Sequence, residues 1–142
     1  MMRIDHIAIA VRSLERSLKE FEAIWGLSVA SSQQADSDAV REAMLPIGNT
    51  SLQLLEATTP ESTVAKFIER RGEGLHHIAI GVDDIVAALD RLRAAGASLI
   101  DEVPRPAGQG RMAAFVHPRT SAGVLIELIQ EAPPAASEGA NT

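Results

Sequence analysis

The stretch "RIDHIAIAV", Arg3–Val11, recurs as "GLHHIAIGV", Gly74–Val82. The tetrapeptide His-Ile-Ala-Ile falls at His6–Ile9 and again at His77–Ile80, an offset of 77 − 6 = 71. Further on, Val11 matches Val82, Leu14 matches Ile85 and Leu18 matches Leu89. The ends of the two copies match as well: aligning Leu52-Gln53-Leu54 with Ile126-Glu127-Leu128 sets Gln53 opposite Glu127, an offset of 127 − 53 = 74. A period of roughly 70 residues is too long for a solenoid. It marks a duplicated module, each copy one half of a pseudo-symmetric domain.

Strand alternation assigns the faces. Successive side chains point to opposite sides. His6, Ala8 and Ala10 share one face, and Ile7, Ile9 and Val11 the other; His77, Ala79 and Gly81 likewise oppose Ile78, Ile80 and Val82. The bulky β-branched face is expected to pack under a helix, while histidine and small residues leave room for a cavity. The repeat selects His77 over its neighbour. By alternation His76 falls with the isoleucines, and it reads as a partly buried, hydrogen-bonded structural histidine.

Helices follow each first strand. Leu14, Leu18, Phe21 and Ile24 keep helical spacing after a Ser13 cap. Ile85, Leu89 and Leu92 repeat the pattern, with Gly96 at the C-terminal stop. A third helix in "TPESTVAKFIERRG" is expected with Thr59 as cap, Pro60 at its first position and Gly72 past its end. Strands are expected near 28–34, 40–47 and 51–57, and again at 97–102, 112–117 and 123–130. The expected fold class is α+β: two tandem β-α-β-β-β modules forming a curved mixed sheet around a cavity. Module one spans about 2–58, the linking helix about 59–72 and module two about 73–130, as a single domain. The Pro-, Ala- and Ser-rich stretch 131–142 reads as a disordered tail.

The chain has 142 residues, 46% of them hydrophobic, which suits an ordinary globular domain. No apolar run is long enough to span a bilayer and no signal-peptide pattern is read at the start. With no cysteine, thiolate nucleophiles and thiolate metal sites are excluded, and a reducing cytoplasm is the expected location. A net charge of −6 argues against nucleic acid as partner.

Each module thus places one polar side chain on its first strand and one on its last: His6, Gln53, His77 and Glu127. A carboxylate flanked by Ile126 and Leu128 is costly to bury unpaired. A metal ion would offset that cost. Two imidazoles, a carboxylate and an amide oxygen suit a divalent first-row cation such as Co, Ni, Zn, Mn or Fe, with two octahedral positions left for water or substrate oxygens.

These features resemble the vicinal oxygen chelate (glyoxalase/bleomycin resistance) superfamily, and within it the methylmalonyl-CoA epimerase family. The resemblance rests on "RIDHIAIAV", "VREAMLPIGNTSLQLLE", "STVAKFIERRGEGLHHIAIGVDDI" and "FVHPRTSAGVLIELIQ", covering most of residues 2–130. It implies one divalent metal (Co, Ni, Mn or Zn) held by His6, Gln53, His77 and Glu127, and Glu42 as a catalytic base. It implies an acyl-CoA substrate, interconversion of (R)- and (S)-methylmalonyl-CoA, and a homodimer, with no role for nucleic acid or membrane. Epimerisation needs an acid/base on each side of a planar enolate. Glu42, beside Val40, Ala43 and Met44, is the natural first base, and Glu127 is the candidate for the second as well as a ligand. The place related by the repeat to Glu42 is expected near Gly110 and Arg111. "PAGQG", Pro106–Gly110, reads as a mobile loop near the entrance, and backbone N–H groups there or at Ser121–Gly123 as donors to a substrate carboxylate. Lys66, Arg70, Arg71, Arg105, Arg111 and Arg119 are candidates for the CoA phosphates, and His117 reads as structural. The alternatives are another metal-dependent lyase or isomerase of glyoxalase type, an extradiol dioxygenase, and a non-catalytic small-molecule-binding protein. Gln53 where glyoxalases carry glutamate argues against the first, and the full ligand set argues against the last.

Overall fold

The computed structural model describes residues 1–35 and 39–134. Eight strands, β1 (Arg3–Ala10), β2 (Ser31–Ala35), β3 (Val40–Ile47), β4 (Thr50–Ala57), β5 (Gly74–Gly81), β6 (Arg105–Pro106), β7 (Met112–Val116) and β8 (Ile126–Gln130), form one curled mixed sheet. Their order is β2-β3-β4-β1-β5-β8-β7-β6. Helix α1 (Leu14–Glu20) follows β1, α2 (Thr63–Arg71) links the halves and α3 (Ile85–Ala94) follows β5. The duplication is visible in the register. β1 pairs in parallel with β4, β5 pairs in parallel with β8, and β1 and β5 meet antiparallel at the centre.

The bulky faces pack under helices as expected. Ile9 and Val11 meet Leu14 and Leu18 of α1, and Ile80 and Val82 meet Ile85 and Leu89 of α3. The opposite face carries Ala8 and Ala79, both fully buried. Near its β1–β4 end this face is closed by Val64, Phe67 and Ile68 of α2.

The elements depart from expectation in several places, among them β6, where no strand was expected. The first helix turns α-helical only to Glu20 and widens into a π turn over Phe21–Trp25, stopped by Gly26 at φ 69°. The wider turn leaves Phe21 against the core and turns Ile24 out to solvent. Helix α2 is capped by Ser62, whose hydroxyl accepts from the Val64 N–H at 3.2 Å, so Thr59 and Pro60 lie in the preceding turn. The expected strand 97–102 reduces to one bridge, Leu99 to Val116. There the Asp101 carboxylate takes the Phe115 N–H at 2.7 Å, a donor that a ladder would need. The last strand starts only at Ile126, because Ala122 and Gly123 are left-handed (φ 55° and 87°) and end the extended backbone. His117 caps the short turn Pro118–Ser121 by accepting from the Arg119 N–H. Of the expected tail, 135–142 lie outside the described residues.

Candidate metal centre and reaction cavity

Five neighbouring strands each give one side chain to the same cavity. In sheet order they are Glu42 on β3, Gln53 on β4, His6 on β1, His77 on β5 and Glu127 on β8. The register explains how four of them converge. Ala8 lies between Gln53 and His77, and Ala79 lies between Glu127 and His6. Both alanines are small enough for the flanking polar groups to close over them.

His6 Nε2 lies 3.3 Å from His77 Nε2. Glu127 Oε1 is 3.6 Å from His6 Nε2 and 3.9 Å from His77 Nε2. Metal–ligand bonds of about 2.1 Å, at tetrahedral or octahedral angles, set donor atoms about 3.0–3.4 Å apart. The three donors are therefore near coordination spacing before any ion is considered. Gln53 supplies a further indication. Its Nε2 donates to Glu42 Oε2 at 2.7 Å, and its Oε1 is buried without a hydrogen-bond partner among the described residues. An ionised carboxylate can only accept, so the amide N–H₂ must face Glu42 and the carbonyl oxygen must face away. A buried acceptor with no donor is costly, and a cation would satisfy it. The donor set fits a divalent ion.

A neighbouring group engages the Nδ1 atom of each imidazole. Asp5 Oδ2 lies 2.7 Å from His6 Nδ1 and is itself held by Arg3. The His6 hydrogen bond, aided by Arg3, keeps the Asp5 carboxyl down at about 2 despite desolvation. Asp5 is therefore ionised and accepts from His6 Nδ1–H, the arrangement in which a neutral imidazole turns its Nε2 lone pair to a cation. In the second copy His76 takes the same place: its Nδ1 lies 2.8 Å from His77 Nδ1. Burial, with His6, His76 and Arg105 adding, pushes His77 down to about 2, and burial alone pushes His76 down. One Nδ1–H bridges the two rings; where it belongs to His77, the Nε2 lone pair of that ring is free for a cation. Burial drives the Glu127 carboxyl up to about 7 against the pull of His6 and Arg105.

Alternation places His76 on the wrong face. The register of β1 with β5 passes from Ala8–His77 to Ile9–Leu75 and skips His76; it likewise skips Asp5 between Ile4 and His6. Both are bulge residues, related by 76 − 5 = 71, the same offset as the histidines. A bulge re-aims its extra side chain. His76 therefore lines the cavity, edge-on to Phe67. It is hydrogen-bonded and partly buried, as expected, but it stands beside the site.

The cavity measures about 360 Å³ and is also lined by Val40, Leu55, Arg105, Arg111 and Phe115. The two arginines and Phe115 were not among the expected reaction-site residues. Arg105 lies over the Phe115 ring, 3.5 Å from Asp101 and 3.9 Å from Glu127 Oε2. The register relates Glu42, which faces Leu55, to Ala113, which faces Ile129, and not to Gly110 or Arg111.

Comparison with known proteins bears on this arrangement. The sequence profile of the glyoxalase/bleomycin resistance protein/dioxygenase superfamily matches residues 5–115. The chain belongs to that superfamily. It is 35% identical over 130 residues to the ethylmalonyl-CoA/methylmalonyl-CoA epimerase of Cereibacter sphaeroides, covering 90% of this chain and 97% of that one. A Streptomyces coelicolor methylmalonyl-CoA epimerase variant, solved with 2-nitronate-propionyl-CoA, superposes with a TM-score of 0.86 at 38% identity, covering 92% of this chain and 94% of that one. A methylmalonyl-CoA epimerase solved with methylmalonyl-CoA and NH₄⁺ gives 0.86 at 37%, covering 94% and 99%. No helix among the described residues of this superfamily member is long and apolar enough to cross a membrane.

Proposed function

We propose that this chain epimerises C2 of methylmalonyl-CoA or a closely related 2-substituted malonyl-CoA, with residues 1–130 acting as one domain. The observation that carries the reading is the row Glu42, Gln53, His6, His77, Glu127 across five adjacent strands. It sets a carboxylate at each end of the candidate cation site, and the sheet's curl brings Glu42 close enough for its charge to act on Glu127. Relatives of closely similar length that bear the epimerase name support the same reading.

His6, His77, Glu127 and Gln53 would hold the divalent ion. When bound, the ion supplies positive charge toward the thioester carbonyl as negative charge develops there. Glu42 takes the proton from C2: the C–H bond breaks, its electron pair passes into the enolate, and the proton resides on the Glu42 carboxyl. Return of a proton to the opposite face inverts the centre. Glu127, at the other end of the row, is the residue suited to pass it, taking a proton from solvent on the carboxyl oxygen that does not hold the ion, while Glu42 returns its own proton to solvent. Gln53 N–H steadies Glu42 in its accepting orientation. That N–H also separates this reading from a glyoxalase one, since glutamate at this position would set a second carboxylate against Glu42. A neighbouring cavity of about 440 Å³ shares Thr63 and His76 with the first and is lined by Lys66, Phe67, Arg70 and Arg71. Its cations and aromatic ring suit the nucleotide end of the thioester.

The test is to incubate the metal-loaded protein with (2S)-methylmalonyl-CoA in deuterated water and follow deuterium at C2 and the epimer ratio. Exchange with racemisation is expected, abolished by chelator and lowered at least about a hundredfold in Glu42→Gln. Exchange undiminished in that variant would remove Glu42 from the mechanism. No exchange with Co, Ni, Mn or Zn would remove the reaction.

A further inference from the structure

The cavity contains a second guanidinium, Arg111, whose charge, like that of Arg105, acts on Glu127. Arg111 enters it from the turn before β7, and its Nε is buried with no hydrogen-bond partner among the described residues. Arg105, in the same wall, is occupied: it faces Asp101 and Glu127 and covers Phe115. The Arg111 backbone is firmly set. Its N–H donates to the Gly108 carbonyl at 3.0 Å and its carbonyl accepts from the Ala107 N–H at 2.9 Å. Gly108, Gln109 and Gly110 are all left-handed (φ 80°, 55° and 74°), and residues 107–111 close into a tight turn. A buried guanidinium donor left unsatisfied is destabilising, and sites tolerate such groups where a ligand satisfies them.

The ligand's chemistry follows from the surroundings. A guanidinium fork matches a carboxylate or a phosphate with two parallel hydrogen bonds, and a neutral thioester oxygen poorly. The cavity, at about 360 Å³, has room for an acyl unit, and it holds both carboxylates that the proposed reaction uses. Glu42 and Glu127 already stand in it, so a cation beside the entering anion lowers the cost of bringing it in. We infer that Arg111 binds the free carboxylate of the substrate and so selects malonyl-type thioesters over plain acyl thioesters. This rests on the epimerase reading for the identity of the thioester, and it makes Arg111 a specificity-determining residue instead of a phosphate contact.

Binding and turnover separate the two ideas. Malonyl-CoA and propionyl-CoA are titrated calorimetrically into the metal-loaded full chain, as wild type, Arg111→Gln and Arg111→Lys. Wild type should prefer malonyl-CoA. Arg111→Gln should shrink that preference about tenfold or more, by weakening malonyl-CoA alone, and Arg111→Lys should restore part of it. A preference ratio unchanged within about twofold in Arg111→Gln, or no preference in wild type, overturns the inference. Protection of the unmutated protein covers a variant that fails to fold. Malonyl-CoA, and not propionyl-CoA, should shield Arg111 from phenylglyoxal as read by peptide mass spectrometry; equal labelling overturns the proposal. An Arg111-dependent preference without deuterium exchange would sink the epimerase reading alone. Exchange with an Arg111-independent preference would sink this inference alone.

Discussion

Glu127 concentrates the electrostatics of the site in one carboxyl. Burial raises its proton affinity from an ordinary 4.5 to about 7. A carboxyl raised on folding binds its proton more tightly in the native state, so its contribution to stability is present below pH 4.5 and is lost as pH rises through 7. A cation needs the same group ionised and therefore competes with the proton. Metal affinity should fall about tenfold per pH unit below about 7 and level off above it, as read by chelator competition, and Glu127→Gln should flatten that slope. A pH-independent affinity in the wild type would separate Glu127 from the metal. Asp5 acts on the opposite side of His6. Asp5→Asn keeps the shape but replaces a charged acceptor by an amide, and should weaken metal binding about 10–100-fold in the same assay while leaving the fold intact by circular dichroism. The four residues His6, Gln53, His77 and Glu127 stood out in the sequence because duplication gave each a partner at a fixed offset. Asp5 and His76 obey that offset too, yet a bulge cannot be read from alternation, and alternation alone sends His76 to the other face.

The elements matter through what they leave small. Ala8 of β1 and Ala79 of β5 floor the site between the paired polar groups, and both are fully buried. Ala79→Val should cost about 1–3 kcal/mol of stability by overpacking, seen as a lowered urea midpoint, and should weaken metal binding more than Ala113→Val, which lies two strands further out in the same apolar cluster. Equal effects on metal binding would make the position merely structural. Helix α2 was legible as an element from its apolar spacing and its terminal Gly72. Its start was not, because Thr59 and Ser62 offer the same capping oxygen three residues apart and only packing chooses the buried Ser62. The helix carries Lys66, Arg70 and Arg71 to the rim of the second cavity. Replacing all three by glutamate should raise KM for the CoA thioester at least severalfold, with a salt-dependent effect, and leave KM for the pantetheine thioester unchanged. A similar rise for both substrates would show that the nucleotide lies elsewhere.

At the scale of the molecule the two halves meet along β1 and β5, and the candidate ligands divide evenly across that seam. His6 and Gln53 come from the first half, His77 and Glu127 from the second. The fold was legible for the same reason as the ligands: one module read twice gives every strand a counterpart, and the bulky β-branched faces say where the helices lie. The cavity arginines were hidden. Arg105 lies on the two-residue β6, the counterpart of β2, and Arg111 in the turn after it, and surface and cavity arginines look alike until their surroundings are known. An ion at the seam would tie the halves together through side chains, adding to the β1–β5 ladder, and would bind the folded state alone because the unfolded chain scatters its ligands. Saturation at a hundred times Kd should then stabilise the fold by about 2.7 kcal/mol. For a domain of this size that is a rise of about 10 °C in Tm, growing with the logarithm of metal concentration in scanning calorimetry and reversed by chelator. The Glu127→Gln and His77→Ala variants should lose most of the rise while still melting in one transition. A wild-type Tm indifferent to Co, Ni, Mn and Zn would mean that the row of side chains across the seam is held by its own hydrogen bonds and takes no ion.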